Sequence, residues 1–182
     1  WAALKFMGAD NSINSFHTDN LTEIKMVIDE ASGKLSTDAE VTDLINFVRG
    51  IDAYDEDKDN NKTEQRWKLA DIYHSELKVV GPPSYSTTDN TNKSNTEAYY
   101  RYQNNYDGFK NGNRCGGSCK TRKEVIYVGA NDGMLHAFDA ITGEELWAFI
   151  PPAMVKSLPK LSSVKPNTSN SIYGVDGSIV VK

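Results

Sequence analysis

Residues Glu124 to Pro152, EVIYVGANDGMLHAFDAITGEELWAFIPP, constrain the fold more than any other stretch. Val125 to Val128 is a β-branched and aromatic run, as a strand prefers. Asn131-Asp132-Gly133 follows, with residues that tolerate positive φ in a tight hairpin turn. Met134 to Phe138 returns from that turn to Thr142-Gly143, a second turn signal. Glu145 to Ile150 runs back and is stopped by Pro151-Pro152, because proline cannot donate to a sheet ladder. The pattern predicts three short strands in an antiparallel meander, a unit too small to fold alone.

Composition limits what can surround the meander. The chain has 182 residues and a formal charge of −5, so it carries no basic footprint for nucleic acid or anionic lipid. No apolar run approaches the roughly 20 residues of a membrane span, and no signal-peptide pattern opens the chain. The final strand-like run, Ser178 to Val181, leads to the expectation of a piece of a larger protein. Cys115 and Cys119 lie in Asn-Arg-Cys-Gly-Gly-Ser-Cys. The glycines allow so short a loop to close as a disulfide suited to an oxidising compartment, while two free thiols in a loop fit the spacing as well. Two ligands are too few for a structural zinc site.

Towards the N-terminus, Ala2 to Phe6 and Glu23 to Ile28 alternate enough to suggest strands, with Ser32-Gly33-Lys34 as a turn. Thr37 to Arg49 reads as a helix. Thr37 and Glu40 have capping-box spacing, Val41, Leu44, Ile45 and Val48 share one face, and Gly50 stands at the C-terminal stop.

The acidic run after that helix carries the one metal-binding pattern. Asp55, Asp57 and Asp59 occupy alternate positions and are followed by Asn61, which lets a curled loop aim several oxygens at one centre, as calcium loops do. An EF-hand loop would need glycine sixth and glutamate twelfth. Asn60 and Arg66 stand there instead, so Glu64 would close a shorter loop. The candidate calcium set is Asp55, Asp57, Asp59, Asn61 and Glu64; the competing reading is a solvated acidic turn. Mutual repulsion of carboxylates this close favours the cation.

Leu69 to Ser75 and Leu77 to Val80 read as extended, ending at Gly81-Pro82-Pro83. Asp71, Ser75 and Val79-Val80 are echoed by Asp176, Ser178 and Val180-Val181. That spacing of about 100 residues exceeds the roughly 40 to 50 of a bare propeller blade. The excess falls in a polar stretch, Tyr85 to Asn95, and in a short helix expected over Thr96 to Phe109, with Tyr99, Tyr102, Tyr106 and Phe109 as its packing face. Asn-x-Ser/Thr triplets at Asn20, Asn61, Asn92 and Asn167 are what chance provides in a chain so rich in these residues.

Leu69 to Val80, Val125 to Ala130, Met134 to Asp139 and Glu145 to Ile150 together suggest one four-stranded blade, with a fresh first strand near Gly174. The expected class is mainly β, a partial β-propeller with quinoprotein-like blades and short helical insertions. Residues 1–68 would be a lead-in holding the helix (37–49) and the acidic loop (55–64). Residues 69–182 would be about one blade plus the first strand of the next, with a polar and aromatic insertion at 84–120. One blade cannot close a propeller, so it would continue beyond Lys182.

Val125 to Asp139 (VIYVGANDGMLHAFD), with Thr142 to Pro152 (TGEELWAFIPP), resembles the hallmark blade of the PilY/PilC family, the type IV pilus tip-associated proteins. Supporting matches are Asn46-Phe47-Val48-Arg49-Gly50, Trp67 to Ser75 (WKLADIYHS), Val80-Gly81-Pro82-Pro83 and the weaker Val175-Asp176-Gly177-Ser178. The resemblance covers Asn46 to Val181 with gaps. It implies a secreted bacterial envelope protein at the pilus tip, outer membrane or cell surface. That protein would be non-enzymatic and act in pilus biogenesis, adhesion and twitching motility, with pilins or minor pilins and host or surface ligands as partners. Family members bind calcium in a propeller loop, usually in a later blade, so calcium at Asp55 to Glu64 is an inference from the residues here.

A rival comes from Ala137-x-Asp139-x-x-Thr142-Gly143-x-x-x-Trp147, which is also similar to the tryptophan-docking motif of pyrroloquinoline quinone dehydrogenases. In both families these residues are structural, and a dehydrogenase would further need a quinone site and an acid/base carboxylate. His17, His74 and His136 are scattered, and His136 reads as a strand residue rather than a catalyst. A propeller scaffold that binds proteins in the envelope is the third reading.

Overall fold

The computed structural model describes residues 15–85, 87, 96–162 and 171–181. Ala2 to Phe6, one of the two expected N-terminal strands, lies outside them. Among the described residues are five α-helices: α1 (Leu21–Ser32), α2 (Asp38–Val48), α3 (Glu97–Gln103), α4 (Tyr106–Asn111) and α5 (Pro152–Val155). Four strands, β1 (Lys78–Val80), β2 (Val125–Gly129), β3 (Leu135–Asp139) and β4 (Glu145–Phe149), form one antiparallel sheet in the order β1-β2-β3-β4. The sheet is open and the architecture is mixed α and β, not mainly β.

The meander forms as its turn chemistry demands. Between β2 and β3, Ala130 N–H donates to the Met134 carbonyl and Gly133 takes φ +82°. Between β3 and β4, Gly143 takes φ +74° and donates to the Asp139 carbonyl, while Asp139 Oδ1 accepts the Ile141 and Thr142 amides. Both glycines hold a left-handed conformation that a side chain would strain.

The chain divides into two compact units. The first comprises residues 1–76, 128–136 and 148–180. Its core joins Ile24 and Ile28 of α1, Val41, Leu44, Ile45 and Val48 of α2, and Met134, Ile150, Val155, Leu158 and Ile172. α2 starts as its sequence dictates: Thr37 Oγ1 accepts the Glu40 N–H at 3.2 Å, and Glu40 Oε2 accepts the Thr37 N–H at 2.7 Å. Gly50 follows its end at φ +99°.

Glu23 to Ile28, expected as a strand, is instead inside α1. Ile24 and Ile28 are four residues apart and therefore share one helical face, which is buried against α2. Only Lys78 to Val80 of the expected first blade strand joins the ladder, pairing with Val125 to Tyr127. Upstream of it, residues 69–76 are held one bond at a time: the Asp71 carbonyl accepts the Asn131 N–H, and Ser75 Oγ accepts the Gly129 N–H. The fresh strand expected near Gly174 does not form among the described residues. Asp176 in that segment accepts both the backbone N–H of His74, at 2.9 Å, and its ring Nδ1, at 2.6 Å. The echoed segments therefore meet through one carboxylate, which the His74 ring and then its amide hold below the usual carboxylate range.

The second unit comprises residues 77–127, 137–147 and 181–182. The single helix expected over Thr96 to Phe109 is two, because Asn105 takes φ +53° and its side chain accepts the Gly108 N–H, capping α4 anew. The aromatic stripe splits with it: Tyr106 and Phe109 lie 5.9 Å apart, while Tyr102 is exposed. Cys115 and Cys119 form a disulfide, with Cα atoms 5.2 Å apart across the two glycines. Trp147 sits on Tyr127, with ring centroids 5.7 Å apart.

Candidate metal centre

The acidic loop is closed at its base by short backbone pairing. The Asp52 N–H donates to the Glu64 carbonyl at 2.9 Å, Ile51 bridges Gln65, and the Arg66 N–H donates to the Gly50 carbonyl at 2.9 Å. Arg66 anchors this base to α2. Its guanidinium lies 3.8 Å from the centroid of the Phe47 ring, and its Nε meets Glu56 Oε2 at 2.8 Å. The arginine that spoils an EF-hand reading thus ties down one of the loop's own acids.

Inside this frame the carboxylates turn the chain. Asp55 Oδ1 accepts the Asn60 N–H at 3.0 Å, Asp57 Oδ1 the Asp59 N–H at 3.2 Å, and Asp59 Oδ1 the Asn61 N–H at 2.7 Å. Asp55, Lys58 and Asn60 all take positive φ. Asn61 turns its amide nitrogen to Glu64 Oε2 at 3.2 Å and its oxygen to Thr63.

Two overlapping carboxylate groups result. Asp55, Asp57 and Asp59 each offer an oxygen within 4.8 Å of the others, and so do Asp52, Asp57 and Glu64. The spacing thus brings its three aspartates together and adds Glu64 through Asp57. Sequence reasoning missed Asp52, which lies outside the alternating run. Asp52 is 3% exposed, and its Oδ2 accepts the Glu56 N–H at 2.8 Å, yet its Oδ1 has no hydrogen-bond partner in the protein. Such an orphaned acceptor costs about 1–3 kcal/mol. The Asp59 carboxylate beside Glu64, followed by partial burial and by Asp57 and Asp52, pushes the Glu64 carboxyl above its ordinary range.

These residues fit a hard divalent cation. The donors are all oxygen, which suits calcium or magnesium and not zinc or copper, and calcium accepts the irregular geometry of a flexible loop. One or other of the two groups, Asp55, Asp57 and Asp59 or Asp52, Asp57 and Glu64, would hold it, and it would supply the positive charge that this crowded set lacks.

Elsewhere in the first unit, His136 and Asp132 form a buried pair at 3.0 Å; Asp132 also accepts the Met134 N–H at 3.0 Å and the Ala70 N–H at 3.4 Å. Both side chains fix the β2–β3 turn. His17 caps a short 3-10 turn, and His74 pairs with Asp176, so the three histidines serve three separate places. Among the described residues, no helix is long and apolar enough to cross a membrane.

Comparison with known proteins points one way. Over 138 residues the chain is 34% identical to the type IV pilus biogenesis factor PilY1 homolog of Xylella fastidiosa, a match covering 74% of this chain and 10% of that protein. It is 36% identical over 144 residues to the type IV pilus biogenesis factor PilY1 of Pseudomonas aeruginosa strain PAO1, covering 79% and 11%. With PilY1 of strain UCBPP-PA14 the identity is 32% over 137 residues, covering 75% and 10%. No family model and no solved structure matches the chain. The chain spans about a tenth of the length of these curated relatives. Over about three quarters of its residues it belongs to the PilY1 family of type IV pilus biogenesis factors, as the meander, the Trp67 to Ser75 segment and the Asn46 to Gly50 helix end together implied.

Proposed function

We propose that this chain acts in type IV pilus biogenesis, as part of a non-enzymatic envelope protein placed at the pilus tip or cell surface, with calcium held in its acidic loop. The observation that carries the reading is the 32–36% identity to PilY1 proteins over about three quarters of the chain. The partners are pilins or minor pilins inside the envelope and surface ligands outside it, which gives the protein its share in adhesion and twitching motility. Calcium chemistry here is structural: charge compensation lets Asp52, Asp57 and Glu64 stay close, so that the loop keeps one shape at the edge of α2.

The orphaned Asp52 oxygen and the all-oxygen donor set support the calcium part. The motif shared with quinone dehydrogenases makes a turn here: Asp139 accepts two turn amides, and Gly143 supplies the positive φ. A gene deletion in a piliated bacterium carrying this protein should remove most surface pili and abolish twitching, with recovery on complementation. Quinone-dependent dye reduction by the purified protein, with piliation intact in the deletion strain, would overturn the reading.

A further inference from the structure

The two carboxylate groups that share Asp57 are not equivalent. Asp55, Asp57 and Asp59 are the alternating run that the sequence advertises. Asp57 and Asp59 are exposed, and one oxygen of each of the three already accepts a loop amide. Asp52, Asp57 and Glu64 instead gather at the closed base of the loop, where Asp52 is buried and Glu64 half-buried. Asp52 is held from two sides: its N–H donates to the Glu64 carbonyl, and its Oδ2 accepts the Glu56 N–H, which leaves the buried Oδ1 without a partner.

Resting on the reading of this loop as a calcium site, we propose that the cation is seated in the inner group, with Asp52 as its anchoring ligand and Asp57 and Glu64 closing over it. A buried oxygen in surroundings of lower dielectric attracts a cation more strongly than the exposed pair does. It is also already positioned, so less side-chain freedom is lost on binding. The oxygens required are carboxylates, with backbone carbonyls and water completing the six to eight that calcium takes. Asp55 and Asp59 shape the loop and add long-range attraction. Because Asp52 and Glu64 face each other across the loop's backbone pairing, binding fastens the base that Arg66 attaches to Phe47 of α2.

Calorimetric titration of the full chain with calcium chloride, paired with thermal melts, tests the arrangement. Wild type should bind and melt higher with calcium. Asp57→Asn, common to both groups, should lose binding. Asp52→Asn and Glu64→Gln should each weaken it at least about tenfold. Asp55→Asn and Asp59→Asn should change it by less than about threefold. Far-UV circular dichroism checks that Asp52→Asn is folded, and Glu64→Gln carries the test if it is not. If Asp57→Asn, Asp55→Asn and Asp59→Asn lose binding while Asp52→Asn and Glu64→Gln keep it, the loop is a calcium site but the inner seat is wrong. If wild type does not bind, or Asp57→Asn binds normally, the calcium reading falls and the seat with it.

Discussion

Replacing Thr37 by alanine removes the hydroxyl that accepts the Glu40 amide and donates to the Glu40 carboxylate, while the backbone N–H of residue 37 still donates to that carboxylate. Denaturant melts should show a loss of about 1 kcal/mol, the usual worth of such a cap; an unchanged midpoint would mean that α2 is fixed by its core alone. Asp139 gives a pH signature. The Ile141 amide, then Lys123 and the Thr142 amide, hold its carboxyl below the usual range in the folded chain. Its contribution is present above the unfolded value and is lost as pH falls through the depressed one. Asp139→Asn should therefore flatten the acid limb of the stability curve below about pH 4; an acid limb as steep as wild type would contradict this. The cap at Thr37 was legible in the sequence, because a capping box is built within four residues; Asp139 was read only as a structural residue of its motif, and its bonds to the Ile141 and Thr142 amides came from the structure. Asp52 was not, since its burial comes from the pairing of Ile51 with Gln65 across the loop.

Among the elements, those with local start and stop signals were the readable ones. α2 has its box at Thr37 and its glycine at Gly50, and the meander has Gly133 and Gly143 at its turns. α1 lacks a start signal, since Asn20 makes no side-chain cap bond, and its stop at Gly33 (φ +68°) serves a strand turn equally well in sequence, so the four-residue step from Ile24 to Ile28 is what distinguishes a helix from a strand. Residues 69–76 look extended in sequence and are, but their amides and carbonyls find scattered partners such as Asn131 and Asp176, where a strand would find a ladder. Gly129 shows how close that packing is, since a Cβ there would run into the Val175 carbonyl. Gly129→Ala should destabilise the first unit, read as a lower melting temperature. The disulfide was one of two readings that the spacing allowed. Breaking it with Cys115→Ser and Cys119→Ser should cost about 2 kcal/mol by loop-closure entropy for so short a ring; a melt unchanged by reductant would contradict that.

At the largest scale, the described residues build one open four-stranded sheet, and the chain divides into two compact units. The partial propeller expected from the blade pattern is not shown by them: the sheet is open, and the first strand of a second blade does not form among the described residues. Family was nonetheless legible: the residues that make the turns and Trp147 are those that carried the resemblance, and the PilY1 relatives match over about three quarters of the chain. The acidic loop is where this frame meets chemistry. The most direct measurement is a count of sheared surface pili from a strain whose only copy carries Asp57→Asn, the residue shared by both carboxylate groups, grown with and without added calcium. The account predicts several-fold fewer pili than wild type in calcium-replete medium and no response to added calcium; wild-type pilus numbers that still rise with calcium would contradict it.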